Sequence, residues 1–198
     1  MIVDSGQYPK IRIHINIHPL KMKNSELEKL KAALKKCQDM EAGIAADKTL
    51  LAACAAERIA LETSLNLADR RALTRVAQLQ AMASFAPHRA ELHQTSLENA
   101  RQELVAASHE FIRTQLRPCY LGLRKAVNER LREKLQGHYQ SESDLASAVN
   151  ASGTMTALER LGTLSIIGGI RTEGCQEKAA KLIKVWAEVQ QFEKAHLN

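Results

Sequence analysis

Large side chains that could anchor a globular core are scarce in this 198-residue chain, which has one Trp, three Tyr and three Phe although 45% of its residues are apolar. Alanine supplies much of the apolar content. Because each buried CH₂ contributes only about 0.8 kcal/mol, an Ala-rich interior gains little per residue and has to gain stability along long contact lines. Proline is also rare: there are four, none of them between Ser25 and Ala86. That stretch, dominated by Ala, Leu, Glu, Lys, Gln and Arg, favours helix strongly. The longest uninterrupted apolar run, Leu50 to Ala56, has seven residues, against roughly 18 to 20 for a membrane span. No integral membrane segment is therefore expected. The first residues show no apolar core followed by small residues, as a secretory signal would, so a cytoplasmic protein is the default expectation. Cys37, Cys54, Cys119 and Cys175 match neither zinc-ligand spacing nor a small-domain disulfide framework and read as buried thiols.

Chemistry-bearing patterns are equally thin. There is no Gly-x-Ser-x-Gly, no Cys–His pair in a recognisable context, and no cluster of carboxylates in loops. Glu57, Glu62, Asp69, Glu98 and Glu103 are spread along helical stretches, as on solvated faces. The expectation is a non-enzymatic protein with no catalytic residues, no metal site and no cofactor.

What is present is periodicity. Residues 10 to 18 alternate, with Ile11, Ile13, Ile15 and Ile17 on one side and Lys10, Arg12, His14, Asn16 and His18 on the other, between Pro9 and Pro19. This is the pattern of a half-buried strand over 11–17. A partner for it is offered by a candidate hairpin at 163–172, turning at Gly168-Gly169. An alternative reading starts translation at Met22, since Met-Lys-Asn-Ser-Glu-Leu-Glu opens like a helix, and excludes residues 1–21.

From Asn24 or Ser25 as cap, with Glu26 and Glu28 in the first turn, a seam runs through 27, 30, 34, 37, 40, 44, 47, 51, 54, 58, 61, 65, 68, 72, 76, 79, 83 and 86. Only Asp47 and Arg58 break its apolar character. The mean step of about 3.5 residues is that of a supercoiled helix pair. Unbroken, such a helix is a rod about 93 Å long; Gly43 and the stretch from Leu65 to Asp69 are its weak points. Ala86-Pro87-His88 reads as the turn-back, and a second helix runs from about Arg89 to Gln136. In that helix Leu97, Ala100, Leu104, Ala107 and Phe111 hold one rhythm. Leu116, Tyr120, Leu123, Val127, Leu131 and Leu135 resume it after a five-residue slip beside Pro118, which predicts a kink there. Gly137 is the expected C-cap.

A Ser- and Asn-rich hinge follows over 138–153, allowing one short helix from Asp144 to Val149. Thr156 with Glu159 suggests a capping box for another short helix ending at Gly162. A last helix from Cys175 to about Ala195 aligns Ala179, Leu182, Trp186, Val189 and Phe192 on one side, to dock on the hairpin. The fold class expected is thus mainly α: a long antiparallel coiled-coil-like hairpin over 25–137, an N-terminal strand segment over 1–24, and a linker, short helices and docking helix over 138–198.

Charge is uneven. The net charge of +6 divides into +5 over residues 1–38, −3 over 39–112, +5 over 113–138 and −1 beyond. Arg113, Arg117, Arg124, Lys125, Arg130, Arg132 and Lys134 face only Glu129 and Glu133 in the second basic zone. Such a strip is a candidate polyanion site, for nucleic acid or an anionic surface, or else a solvated face. His88, Glu91 and His93 miss the metalloprotease spacing, with rings about 140° apart on a helix. His14 and His18 read as an exposed strand edge, and His109 with Glu110 as adjacent side chains that do not face each other. Gly168, Gly169 and Gly174 around Arg171 could cradle an anion but lack P-loop and dinucleotide patterns; a turn needing positive φ explains them. Function is therefore expected to be structural. The hairpin would be an assembly or adaptor element for a protein partner or self-association, with Leu50, Ile59 and Leu67 as outer apolar positions wanting cover. The alternative is a nucleic-acid-binding accessory protein using Arg113 to Lys134.

Overall fold

The computed structural model describes residues 25–64, 69–165 and 170–197, apart from the side chains of 163–165, and every regular element among them is helical. The strand expected over 11–17 lies outside the described residues, as do Leu67, Gly168 and Gly169. The candidate hairpin over 163–172 is corrected: 163–165 end a helix, 170–174 form an irregular lead into the next, and no strand occurs among the described residues.

Helix α1 spans Ser25–Thr63, with Glu26 and Glu28 in its first turn where they complement the helix dipole. All of its positions in the periodic series, from 27 to 61, are buried or half-buried. The chain reverses after Ser64, not at Pro87. Asp69 caps α2, Arg70–Phe111, its carboxylate accepting the N–H groups of Arg71 at 2.9 Å and Ala72 at 3.2 Å. The turn-back expected at Ala86-Pro87-His88 is therefore overturned, and with it the unbroken helix from 25 to 86 and the helix start at Arg89. Pro87 is exposed inside α2. Its ring points to water, and Ala86 and His93 still face the seam, so the pairing of the two helices offsets the lost bond to the Ala83 carbonyl.

The five-residue slip has a structural counterpart. Ile112–Leu116 forms a π turn, the Arg117 N–H reaching back to the Ile112 carbonyl, before α3 at Arg117–Leu135. The wider turn puts Phe111 and Leu116, five residues apart, both fully out of water in the same core. It also accommodates Pro118, which cannot donate to the carbonyl four residues back. A 3₁₀ turn at Gln136–His138 follows, with no positive φ at Gly137, so the expected C-cap there is not formed.

Helix α4, Glu142–Ala151, is capped by the Ser141 hydroxyl; α5 spans Gly153–Ser165; α6 spans Cys175–His196. The capping box expected at Thr156 is replaced by Ser152, whose hydroxyl accepts the Met155 N–H at 3.2 Å. Gly162 lies inside α5 rather than ending it, beneath the Tyr120 ring: a methyl group there would sit 2.2 Å from the ring's Cζ and Oη. Gly174 takes φ +66 at the start of α6, the left-handed conformation that glycine tolerates.

One core joins these elements. It takes Leu30 and Cys37 from α1, Ala100, Leu104 and Phe111 from α2, Leu123 and Val127 from α3, and Ala179, Leu182, Trp186, Val189 and Phe192 from α6, the side that the sequence aligns. Phe111 meets Trp186 edge to face at 5.5 Å. In α1 the core extends to Met40, and in α2 it begins at Ala100. Residues 42–63 and 70–99 therefore form an arm in which the two helices pack chiefly on each other, about 33 Å long by the rise of its shorter helix. No helix among the described residues is long and apolar enough to cross a membrane.

Candidate functional site

The seven basic side chains of the predicted strip do not form one stripe. At 100° per residue, Arg117, Arg124, Lys125 and Arg132 share about a quarter of the α3 circumference, while Arg130 and Lys134 lie on the other side. Arg113 lies within the π turn and pairs with Glu110 at 2.7 Å. Arg124 stands 3.6 Å from Glu159 and Lys125 3.9 Å from Glu129. Arg132 pairs with Glu142 and also donates to Asn128 Oδ1 at 3.0 Å. Arg130 donates to the His196 carbonyl and so caps the end of α6. Arg117 and Lys134 have no ion-pair partner among the described residues. Leu121, 52% exposed, stands among the four outer cations. Such exposed pairs are worth roughly 0–1 kcal/mol and leave that face positive.

The other candidate residues are separated. His88 is exposed, whereas His93 turns into the seam. His109 Nε2 lies 3.2 Å from the Ile170 carbonyl, tying the end of α2 to the segment before α6. Among the described residues no three His, Cys, Asp or Glu side chains converge as metal ligands would. Gly174 serves as the cap of α6. All four cysteines are free. Burial pushes the Cys119 thiol up to about 11 and also raises those of Cys37 and Cys175.

Sequence reasoning missed the polar cluster at the waist of the hairpin, because Asp47 counts only as a break in an apolar series. Asp47 Oδ2 accepts from Arg89 Nη2 at 2.5 Å and lies 3.3 Å from His93 Nδ1. Around it the seam opens into a groove of about 300 Å³, walled by Ile44, Leu51 and Leu97 and rimmed by Lys48 and Gln94. The signal was available: a lone acid in one seam and Arg89 and His93 in the other. No hydroxyl or thiol nucleophile lines this groove, and its acid and bases satisfy one another. A polar group in an otherwise apolar seam fixes register at some cost in stability. Nearer the core, Arg101 binds Glu41 at 2.8 Å and its hydrogen bond holds that carboxyl below the ordinary carboxylate range. Toward the tip, Glu57 and Arg75 pair at 2.7 Å, and the other seam break, Arg58, stands 3.5 Å from Glu62.

The arm also carries an apolar surface. Of the large apolar side chains left exposed among the described residues, Leu50, Ile59, Leu73, Phe85 and Leu92 are on it, and only Leu121 and Tyr139 are elsewhere. The sequence singles out Leu50 and Ile59 as outer apolar positions, but not Leu73, Phe85 or Leu92. Phe85, 65% exposed, and Leu92 are seven residues apart and thus stacked on one flank of α2. No family model, curated protein or solved structure matches this chain.

Proposed function

We propose that this chain is a non-enzymatic interaction protein in which the helical arm, residues 42–99, is the assembly or adaptor element and the core formed by the hairpin base and α3–α6 is its anchor. The observation that carries the reading is the concentration of exposed Leu50, Ile59, Leu73, Phe85 and Leu92 on a two-helix arm outside the main core. Uncovered apolar groups at this density mark association surfaces. The proposed compartment is the cytoplasm, where four free thiols stay reduced. The test is a photo-crosslinking amino acid placed singly at Phe85, at Leu92 and, as a control, at the exposed Lys181 of α6, in living cells. Protein adducts at the two arm positions and none at Lys181 are expected; equal yields at all three would end the reading.

A second reading is favoured by one feature, the outer face of α3 with Arg117, Arg124, Lys125 and Arg132 around exposed Leu121. Phosphates could displace the weak ion pairs there. As a nucleic-acid accessory, the protein would bind duplex DNA with a log–log salt slope of roughly −3 to −4 for four contacts. No gel shift at low salt removes this reading.

A further inference from the structure

We infer that the arm's partner is the arm of a second copy of this chain, paired antiparallel about a two-fold axis beside Phe85 to complete a four-helix bundle. The inference rests on the reading of the arm as an interaction surface. Three features of the arm select a second copy.

The first is where the apolar side chains lie. On a helical wheel Leu50 of α1 falls on the same flank as Phe85 and Leu92 of α2, the flank that also carries the Glu57–Arg75 pair. Ile59 and Leu73 fall on the other flank, together with Lys48, Glu62, Arg70, Glu91 and Glu98, so the Phe85 flank, where Arg71 joins Glu57 and Arg75, is the less charged of the two. A two-helix layer with one such flank is half of a bundle.

The second is charge. Residues 42–99 hold six acidic and six basic side chains, so two arms meet without net repulsion. Any contact between copies through α3 would oppose two zones of +5. The ion pairs Glu57–Arg75 and Asp47–Arg89 set the level of each helix along the arm. On that scale Phe85 lies level with Leu50. A two-fold axis there sets Arg89 of one arm level with Ala81 of the other, and Arg75 level with Thr95, so no like charges meet across the axis.

The third is area. A face about 33 Å long and two helices wide offers about 650 Å² per copy, close to the ~800 Å² per partner of a standard interface. Association in the micromolar range is the expected scale.

The test uses the full chain in sedimentation equilibrium across the micromolar range. The wild type should pass from the mass of one chain to that of two. A Phe85→Asp, Leu92→Asp variant should remain single with an unchanged circular dichroism spectrum, since both side chains already face water; Leu121→Asp, on the core side of the molecule, should dimerise like the wild type. Phe85→Cys should give a disulfide-linked two-chain species with diamide as oxidant, and Leu73→Cys should not. A single-chain mass at every concentration, or a dimer that survives Phe85→Asp with Leu92→Asp, overturns the inference. If the purified chain is monomeric while photo-crosslinks at Phe85 capture another protein, the second copy is refuted and the arm remains an interaction surface; if neither occurs, both readings fall.

Discussion

Cysteine reactivity shows how burial decides chemistry in this molecule. Cys37, Cys119 and Cys175 are in the core, and burial raises their thiols, so they stay protonated and shielded near neutral pH. Cys54 is half-buried in the arm. Under native conditions an alkylating reagent followed by mass spectrometry should modify Cys54 first and the other three only on unfolding. Simultaneous modification of all four would show that the core opens far more readily than its packing implies. Gly162 gives a second residue-scale test. A methyl group there collides with the Tyr120 ring. Overpacking of this kind costs about 1–3 kcal/mol, while Ala gains about 1 kcal/mol over Gly in helix propensity. Gly162→Ala should therefore destabilise the wild type by about 1 kcal/mol in urea titration. In a Tyr120→Ala background the same substitution should stabilise, because only the propensity gain remains. An unchanged sign in that background would mean that the ring contact is not what limits the position.

Among the elements, α2 holds a proline that its neighbours tolerate. Pro87→Ala restores the N–H donor to the Ala83 carbonyl and removes the ring, and it should raise stability by about 1–3 kcal/mol, read as a higher midpoint in thermal unfolding. No gain would mean that the helix already bends around the ring at no cost. This proline also marks the limit of what the sequence discloses. Every position of the periodic series from Leu27 to Leu61 falls on the shielded side of α1, because a step of about 3.5 residues follows directly from helix geometry, whereas Ala33 and Glu41, also half-buried, lie outside the series. The slip from Phe111 to Leu116 was legible as a break in phase, and its form as a π turn was not, since a kink and an inserted residue leave the same pattern. The reversal was misplaced because a proline is a strong local stop signal, whereas Asp69 is a modest one. What decided between them was the pairing of 47 with 89 and of 57 with 75, a long-range choice absent from local propensity. The 163–172 stretch failed for a related reason: its β-branched residues favour a strand only where a neighbouring strand is supplied. The aligned side of α6 was read correctly, whereas Asp47, the centre of the candidate site, was discounted because its partners Arg89 and His93 belong to another helix.

At the scale of the molecule, the chain divides its apolar material unequally. The base of the hairpin and α3–α6 share the large buried side chains, and the arm beyond Met40 keeps only Val76 and Leu79 buried among the described residues. A two-helix layer lacks the second layer that normally covers a helix face, so the arm should open locally at lower free energy than the core. The proposed function depends on this asymmetry, since a surface left bare on a weakly held element is available to a partner that covers it. Amide hydrogen exchange of the full chain at high dilution is the most direct measurement. Amides of 44–63 and 70–97 should exchange at least about tenfold faster than those of 100–111 and 179–192, equivalent to ~1.4 kcal/mol or more of difference in opening. Exchange of arm and core together at one rate, as a single cooperative unit, would contradict the division on which the interaction arm rests.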